Sequence, residues 1–234
     1  MTTQVIPWLK AFCCGTDKRT PAGQVLRYRC GPRIVHALLA LSFLMLLGSG
    51  LTLLAPFLSG LAAGGWLRQL HYVGAVLFMM VPVLYLMVDR PAVKELLWDS
   101  FHYDRDDWRW LQQSYRYFMG YCESMPPQGR LNAGQKLHHA GVVIFAATIV
   151  GSGLTLWLGK GSLGADGLAI TASIHSLSML ILTVLLVGHL YFTFVYEALP
   201  GMVSGYIPEE AARLEHAKWV ETLPGKEARI AKGS

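Results

Sequence analysis

Charge is the scarcest property of this chain. Only 15% of its 234 residues are Asp, Glu, Lys or Arg, 53% are hydrophobic, and the mean hydropathy is +0.38. An average soluble domain carries ~25% charged residues, so an ordinary water-soluble globule is a poor fit. Cysteine is also sparse. Cys13, Cys14, Cys30 and Cys122 form no Cys-x-x-Cys pair, which leaves no framework for a zinc ribbon or an iron–sulfur cluster. The sequence has no Cys-x-x-Cys-His for covalent haem attachment and no nucleotide-binding glycine motif. The four thiols are expected to be reduced and structural, with acylation of Cys13 and Cys14 as the alternative. The first 33 residues lack an uninterrupted apolar core ahead of a small-residue site, so no cleavable signal peptide is expected.

The apolar residues are gathered into four blocks, Ile34 to Leu58, Leu67 to Val88, Leu137 to Leu158 and Leu168 to Tyr196. Each is long enough for the roughly 20 residues that cross a ~30 Å hydrocarbon core. Backbone groups in lipid must be satisfied internally, so the blocks are expected to be helices. The fold class predicted is all-α, an integral-membrane four-helix bundle. Residues 1–33 form a lead segment, 34–198 the transmembrane domain with a loop at 89–136, and 199–234 a tail.

The net charge of +5 raises the question of nucleic acid, but its placement points elsewhere. Eighteen of the twenty Lys and Arg residues lie before the first span, between the second and third, or after the fourth. Arg68 and Lys160 alone occupy the other connections. This bias predicts that both termini and the long loop are cytoplasmic. The aromatic-rich stretches of the loop, "PAVKELLWDSF" and "DWRWLQQSYRYFMGYC", are expected to form an interfacial Trp/Tyr belt, with an amphipathic partner-facing helix as the alternative. Pro126 and Pro127 are expected to end that segment.

One heptapeptide occurs almost twice. "GSGLTLL" begins at Gly48 and "GSGLTLW" at Gly151, and a histidine stands 12 residues before each, at His36 and His139. The two copies are 103 positions apart, and His71 and His175 are 104 apart. The chain therefore reads as two copies of one helical hairpin related by an axis along the membrane normal, with the repeated glycines permitting close helix contact. Six of the eight histidines lie in or at the ends of spans, where ionisable side chains are rare and usually functional. His175 and His189 are 14 residues apart on one helix, sharing a face at a rise of about 21 Å. That spacing is too wide for one metal ion and suits two flat cofactors at two depths, each held by imidazoles from two helices, as in bis-histidine haem. By depth, His71 pairs with His175 at the outer level. At the inner level His36 pairs with His189 or, by repeat symmetry, with His139; geometry leaves both open.

The segments "VHALLALSFLMLLGSGLTL", "LRQLHYVGAVLF", "LNAGQKLHH", "SIHSLSMLILTVLLVGHLYFTF" and "GMVSGYIPEEAARLEHAKW" resemble the cytochrome b (gamma) subunit of respiratory formate dehydrogenases, nearly throughout Arg29 to Trp219. The di-haem b subunits of membrane-bound nickel–iron hydrogenases share the general plan. The resemblance implies two haem b groups, one held by His71 and His175 and the other by His36 and His189, with His139 unligated. It also implies a quinone site near Asn132 and Gln135, the competing role for Asn132 being a helix cap. His138 and His139 depart from the bulky apolar residues of that family; a proton relay and a water-facing position are both open for them. His102 and His216 are expected at the surface.

The function expected is a multi-pass subunit of the bacterial inner membrane. It would pass electrons from an iron–sulfur partner, and through it from a catalytic dehydrogenase subunit, by way of two haems to menaquinone or ubiquinone. The chain itself would oxidise no substrate. Rival expectations are the cytochrome b subunit of a hydrogenase, of a thiosulfate reductase or of another reductase and, from a different class, a haem-free transporter or membrane anchor.

Overall fold

A computed structural model describes residues 23–62, 64–122, 124–159, 161–195 and 199–223. Cys13, Cys14, Lys160, Tyr196 and the end of the tail lie outside these residues. The chain separates into two compact units. One comprises Arg29–Val93 and Gly141–Glu197; the other comprises the described residues of Met1–Tyr28, Lys94–Ala140 and Ala198–Ser234.

The first unit is built on four long helices: α1 (Cys30–Leu54), α3 (Trp66–Val88), α6 (Ala133–Leu158), of which residues 141–158 belong to this unit, and α7 (Ala165–Val195). All four are long and apolar enough to cross a membrane. Most of their leucines and valines, Leu41 and Val184 among them, face outward. Such a surface would be an aggregation liability in water and is the expected one in lipid. α1 begins four residues before the predicted Ile34 and stops four before Leu58. Pro56 sets the stop: the residue before a proline is driven out of the helical region, and Ala55 is extended at ψ 117°. A one-turn 3-10 segment (Pro56–Leu58) and α2 (Ser59–Ala62) complete the turn to α3. α7 begins at Ala165, three residues earlier than predicted.

Small residues set the helix contacts of this unit. A Cβ on Gly74 of α3 would come 3.2 Å from Leu46 Cγ of α1, and one on Gly141 of α6 would come 3.2 Å from Leu185 Cδ1 of α7. Tyr72 of α3 and Trp157 of α6 stack with centroids 4.9 Å apart and planes 11° from parallel.

In the second unit the loop, the lead and the tail fold together. Strand β1 (Gln24–Leu26) pairs antiparallel with β2 (Tyr206–Pro208), with Val25 opposite Ile207, a two-stranded ribbon that the all-α expectation did not include. Val25, Ala212 and Val220 make a small buried core, with Ile207, Trp219 and Leu223 packed on it. α8 (Leu199–Ser204), α9 (Glu209–Glu215) and α10 (Ala217–Glu221) carry the tail. The loop contains α4 (Arg90–Phe101) and α5 (Arg105–Phe118). α5 opens with a reciprocal capping box. Asp104 Oδ1 accepts from the Asp107 amide at 2.9 Å, and Asp107 Oδ2 accepts from the Asp104 amide at 2.7 Å.

Pro126 and Pro127 do not end this helix. It closes earlier, at a left-handed glycine: Gly120 has φ 77°, the Tyr121 amide donates to Arg116 O at 2.7 Å, and the Gly120 amide donates to Tyr117 O at 3.0 Å. This double closure is a Schellman motif. Trp110 is buried against Gly134, where a Cβ would lie 3.0 Å from Trp110 Cη2, whereas Trp108 and Tyr115 of the same helix are exposed.

Candidate functional site: paired histidines on the long helices

The four long helices bring their histidines together in pairs. The rings of His71 (α3) and His175 (α7) have centroids 6.4 Å apart, with planes at 65°. Those of His36 (α1) and His189 (α7) are 5.9 Å apart, with planes at 51°. The pairs share α7, whose two histidines are 14 residues, or about 21 Å, apart along the axis. His138 and His139 are neighbours on α6, with ring centroids 5.9 Å apart.

Hydrogen bonds orient the first pair. His71 Nδ1 lies 2.9 Å from Ser49 Oγ of α1, and His175 Nδ1 lies 3.1 Å from Ser152 Oγ of α6. His175 Nδ1 is also 3.1 Å from the Ile149 carbonyl oxygen. A carbonyl can only accept, so the proton of His175 sits on Nδ1 and its Nε2 keeps a lone pair. Gly50 and Gly153, the last glycines of the two repeats, face the same rings. A Cβ at Gly50 would be 3.4 Å from His71 Cε1, and one at Gly153 would be 3.1 Å from His175 Cε1. The close approach expected of the repeated glycines is thus an approach of backbone to imidazole. Gly48 and Gly151 have no such neighbour within 4 Å. Ser49 and Ser152 escaped the sequence reading, although they are the central residues of the motif that drew attention.

The donor set fits a metal held in a macrocycle better than a bare ion. Among the described residues, no three or more His, Cys, Asp or Glu side chains converge as metal ligands. Two imidazoles supply two ligands only, so a metal held between them would take its other positions from a cofactor, as in haem. With metal–imidazole bonds of ~2.0 Å, two rings on opposite faces of one metal have centroids about 6 Å apart. The separations of 6.4 and 5.9 Å meet that test.

A model of the prokaryotic cytochrome b561 family matches residues 27–205. The chain belongs to this family. Membership implies haem b, and with four apolar helices it makes this a multi-pass membrane protein. Among curated relatives of this cytochrome, the formate dehydrogenase cytochrome b556 subunit of Haemophilus influenzae is 24% identical over 203 residues, covering 84% of this chain and 82% of that one. The formate dehydrogenase cytochrome b556(fdo) subunit of Escherichia coli K12 is 25% identical over 209 residues, covering 83% of this chain and 91% of that one.

The remaining residues singled out in the cytochrome sequence lie in the second unit. Asn132 and Gln135 form the capping box of α6. Asn132 Oδ1 accepts from the Gln135 amide at 2.8 Å, and Gln135 Oε1 accepts from the Asn132 amide at 3.2 Å. Both acceptor oxygens therefore serve the helix terminus. The Asn132 side chain also hydrogen-bonds Glu215, a residue the sequence reading passed over; burial pushes this carboxyl above its usual range, opposed by that bond.

His216 corrects an expectation. It is 5% exposed rather than a surface residue. Its Nδ1 donates to Gly129 O at 2.9 Å, and its Nε2 accepts from Arg27 Nη2 at 3.2 Å. The chain folds back at β2 and α9 and so places it beneath Arg27, which also donates to the Arg130 carbonyl and lies 4.7 Å from the Trp219 ring. Burial, and then the Arg27 charge, push the His216 pKa down to about 3. His102 is exposed as expected, stacked on Trp98 at 4.5 Å.

Proposed function

We propose that this chain is the membrane-anchoring di-haem subunit of a formate dehydrogenase, taking electrons from an iron–sulfur partner subunit and delivering them to membrane quinone. The observation that supports this reading is the presence of two histidine pairs that share α7, His71–His175 and His36–His189. Haem b supplies a one-electron redox centre at each level when bound. The protein's part would be to hold the iron by His71 and His175 at one level and by His36 and His189 at the other, and to exclude water with the apolar helices around them. The names of the relatives support the choice of formate dehydrogenase over a hydrogenase or another reductase.

For quinone, Asn132 and Gln135 are the proposed binding residues. Their oxygens close the helix cap, so the side-chain NH2 groups are the parts suited to a quinone carbonyl. Reducing a quinone to a quinol consumes two electrons and two protons. Glu215, hydrogen-bonded to Asn132 and held above the usual carboxylate range by burial, is a group able to keep a proton beside that amide. Both termini and the loop are proposed to be cytoplasmic, on the distribution of Lys and Arg.

The test is purification of the chain with its native partners, followed by pyridine haemochrome quantification and a reduced-minus-oxidised spectrum. Two b-type haems per chain, with co-purifying iron–sulfur and formate-oxidising subunits, are expected. Fewer than two haems per chain would overturn the di-haem reading. Co-purification with hydrogenase subunits would replace the partner, and absence of haem would favour a transporter or a plain anchor.

A further inference from the structure

We infer that Ser49 and Ser152 are positioning residues for the axial imidazoles of His71 and His175, an inference that rests on the haem reading above. The two serines are the centres of the repeated Gly-Ser-Gly and stand at equivalent places in the two hairpins. Both are buried, Ser49 at 1% exposure and Ser152 at 7%. Each hydroxyl has its proton committed within its own helix. Ser49 Oγ donates to Met45 O at 2.6 Å, and Ser152 Oγ donates to Thr148 O at 2.8 Å.

Such back-bonding alone is common for serine in an apolar helix and requires no ligand. The second contact makes the difference. A hydroxyl whose proton is spent on a carbonyl can only accept from the neighbouring Nδ1, at 2.9 Å for His71 and 3.1 Å for His175. The relay runs from imidazole N–H to serine oxygen and from serine O–H to a backbone carbonyl. It fixes the tautomer with Nδ1 protonated and Nε2 open, which is the form that binds iron. The glycine that follows each serine leaves room for the ring edge, since a Cβ there would stand 3.4 Å from His71 Cε1 or 3.1 Å from His175 Cε1. Gly-Ser-Gly is therefore a seat for an imidazole: serine, together with a backbone carbonyl (Ile149 O beside His175), holds the ring's proton, and the following glycine sets its distance. The motif occurs twice because the two ligands of one haem come from two copies of one hairpin.

Accepting an N–H bond from an axial imidazole increases electron donation to iron and favours the oxidised state. Ser49→Ala and Ser152→Ala should therefore raise the reduction potential of the haem at His71–His175, and leave the haem at His36–His189 unmoved. The two are told apart by which signal disappears in His71→Ala. Optical redox titration and low-spin EPR of the purified complex read the effect. Haem retention on dilution in detergent should fall by about 10- to 100-fold in affinity for that haem alone. Ser49→Thr and Ser152→Thr, which keep a hydroxyl, should restore the potential and the EPR signal. Gly153→Ala keeps the serine but crowds the ring, and should alter the EPR signal of the same haem.

If the wild-type complex holds two haems and neither alanine variant moves potential or EPR, the positioning role is wrong and the haem reading stands. An equal shift of both haems would likewise overturn it. A wild-type complex without haem would remove the proposed function itself.

Discussion

The buried polar side chains of the two units are of different kinds. Among the described residues of Arg29–Val93 and Gly141–Glu197 they are Ser42, Ser49, Ser152 and Ser178, with Arg33 as the one charged residue. In the other unit they are Arg27, Ser100, Asp107, Gln128, Asn132 and His216. A serine satisfies its hydroxyl on its own helix, as Ser42 does on Leu39 O at 3.0 Å, so it adds little cost to a helix in lipid. A buried charge needs partners from other parts of the chain. Asp107 takes the Lys136 ammonium at 2.7 Å from 29 residues away, and Arg27 meets His216 across 189 residues. In one unit two of the buried serines, Ser49 and Ser152, also reach a histidine of a neighbouring helix; the other unit uses polarity to tie three segments of chain together.

The sharpest way to break this comparison is at the histidines. His71→Ala or His175→Ala is expected to remove one haem of two, and His36→Ala or His189→Ala the other, as counted by pyridine haemochrome. Loss of the second haem in His139→Ala with retention in His189→Ala would establish the symmetric pairing instead. The changes at His36, His71, His175 and His189 lie in the first unit and should not unfold the second, as judged by its resistance to proteolysis.

A stability effect should dominate at Asp107, which is 1% exposed. Asp107→Ala leaves the Lys136 ammonium without its carboxylate and breaks the α5 cap, a loss of about 3–5 kcal/mol for an orphaned buried charge. Thermal unfolding in detergent would measure it, and haem content before unfolding should stay unchanged.

Acid should weaken the second unit next. His216 is neutral in the fold, with its pKa taken down to about 3, while in the unfolded chain it titrates near its ordinary 6.5. Between these values the unfolded state binds the extra proton. The contribution is therefore whole above pH 6.5 and is lost progressively as pH falls toward 3. Asp104 follows at lower pH. Burial raises it, but hydrogen bonds from Lys218 and from the Asp107 and Asp106 amides take it to about 2, so its contribution fades below its ordinary 3.8. A His216→Gln variant should show a flatter melting temperature between pH 6.5 and 4; an unchanged slope would exclude His216 as the titrating group.

Smaller effects separate structure from chemistry at the α6 cap. Asn132→Ala should cost about 1 kcal/mol for the lost cap. Gln135→Glu keeps the capping oxygen and removes only the NH2 group, so it should spare stability while raising the KM for quinone. Unchanged quinone kinetics in this variant would leave the capping box as the whole role of Gln135. Least of all, Arg213→Ala should change stability by less than ~0.5 kcal/mol, because its pair with Glu209 at 2.7 Å lies on an exposed face.

The legibility of the sequence divided along the same line. The four spans were readable to within about a turn because apolar length is a local property. Ends were misplaced where a single residue decided them: Pro56 ended α1, and the Asn132–Gln135 box started α6 at Ala133, four residues before the predicted Leu137. The histidine pairs could be listed from depth and spacing, but geometry alone left His189 and His139 competing. His216 was misplaced because nothing near it in sequence announces Arg27 or Gly129. The ribbon of β1 and β2 was invisible for the same reason, since its two strands of three residues lie at opposite ends of the chain.

By itself, then, the sequence determined that this protein has four membrane-length helices, and a Gly-Ser-Gly heptapeptide and histidines repeated at near-equal offsets, because hydropathy and periodicity act over one or two helical turns at a time. Only the tertiary structure decided which imidazoles face each other, that the Gly-Ser-Gly centres bond to two of them, and that lead, loop and tail close around a buried Arg27–His216 contact. Those outcomes depend on side chains tens to hundreds of residues apart meeting at hydrogen-bond distance, and no local pattern in the chain encodes such a distance.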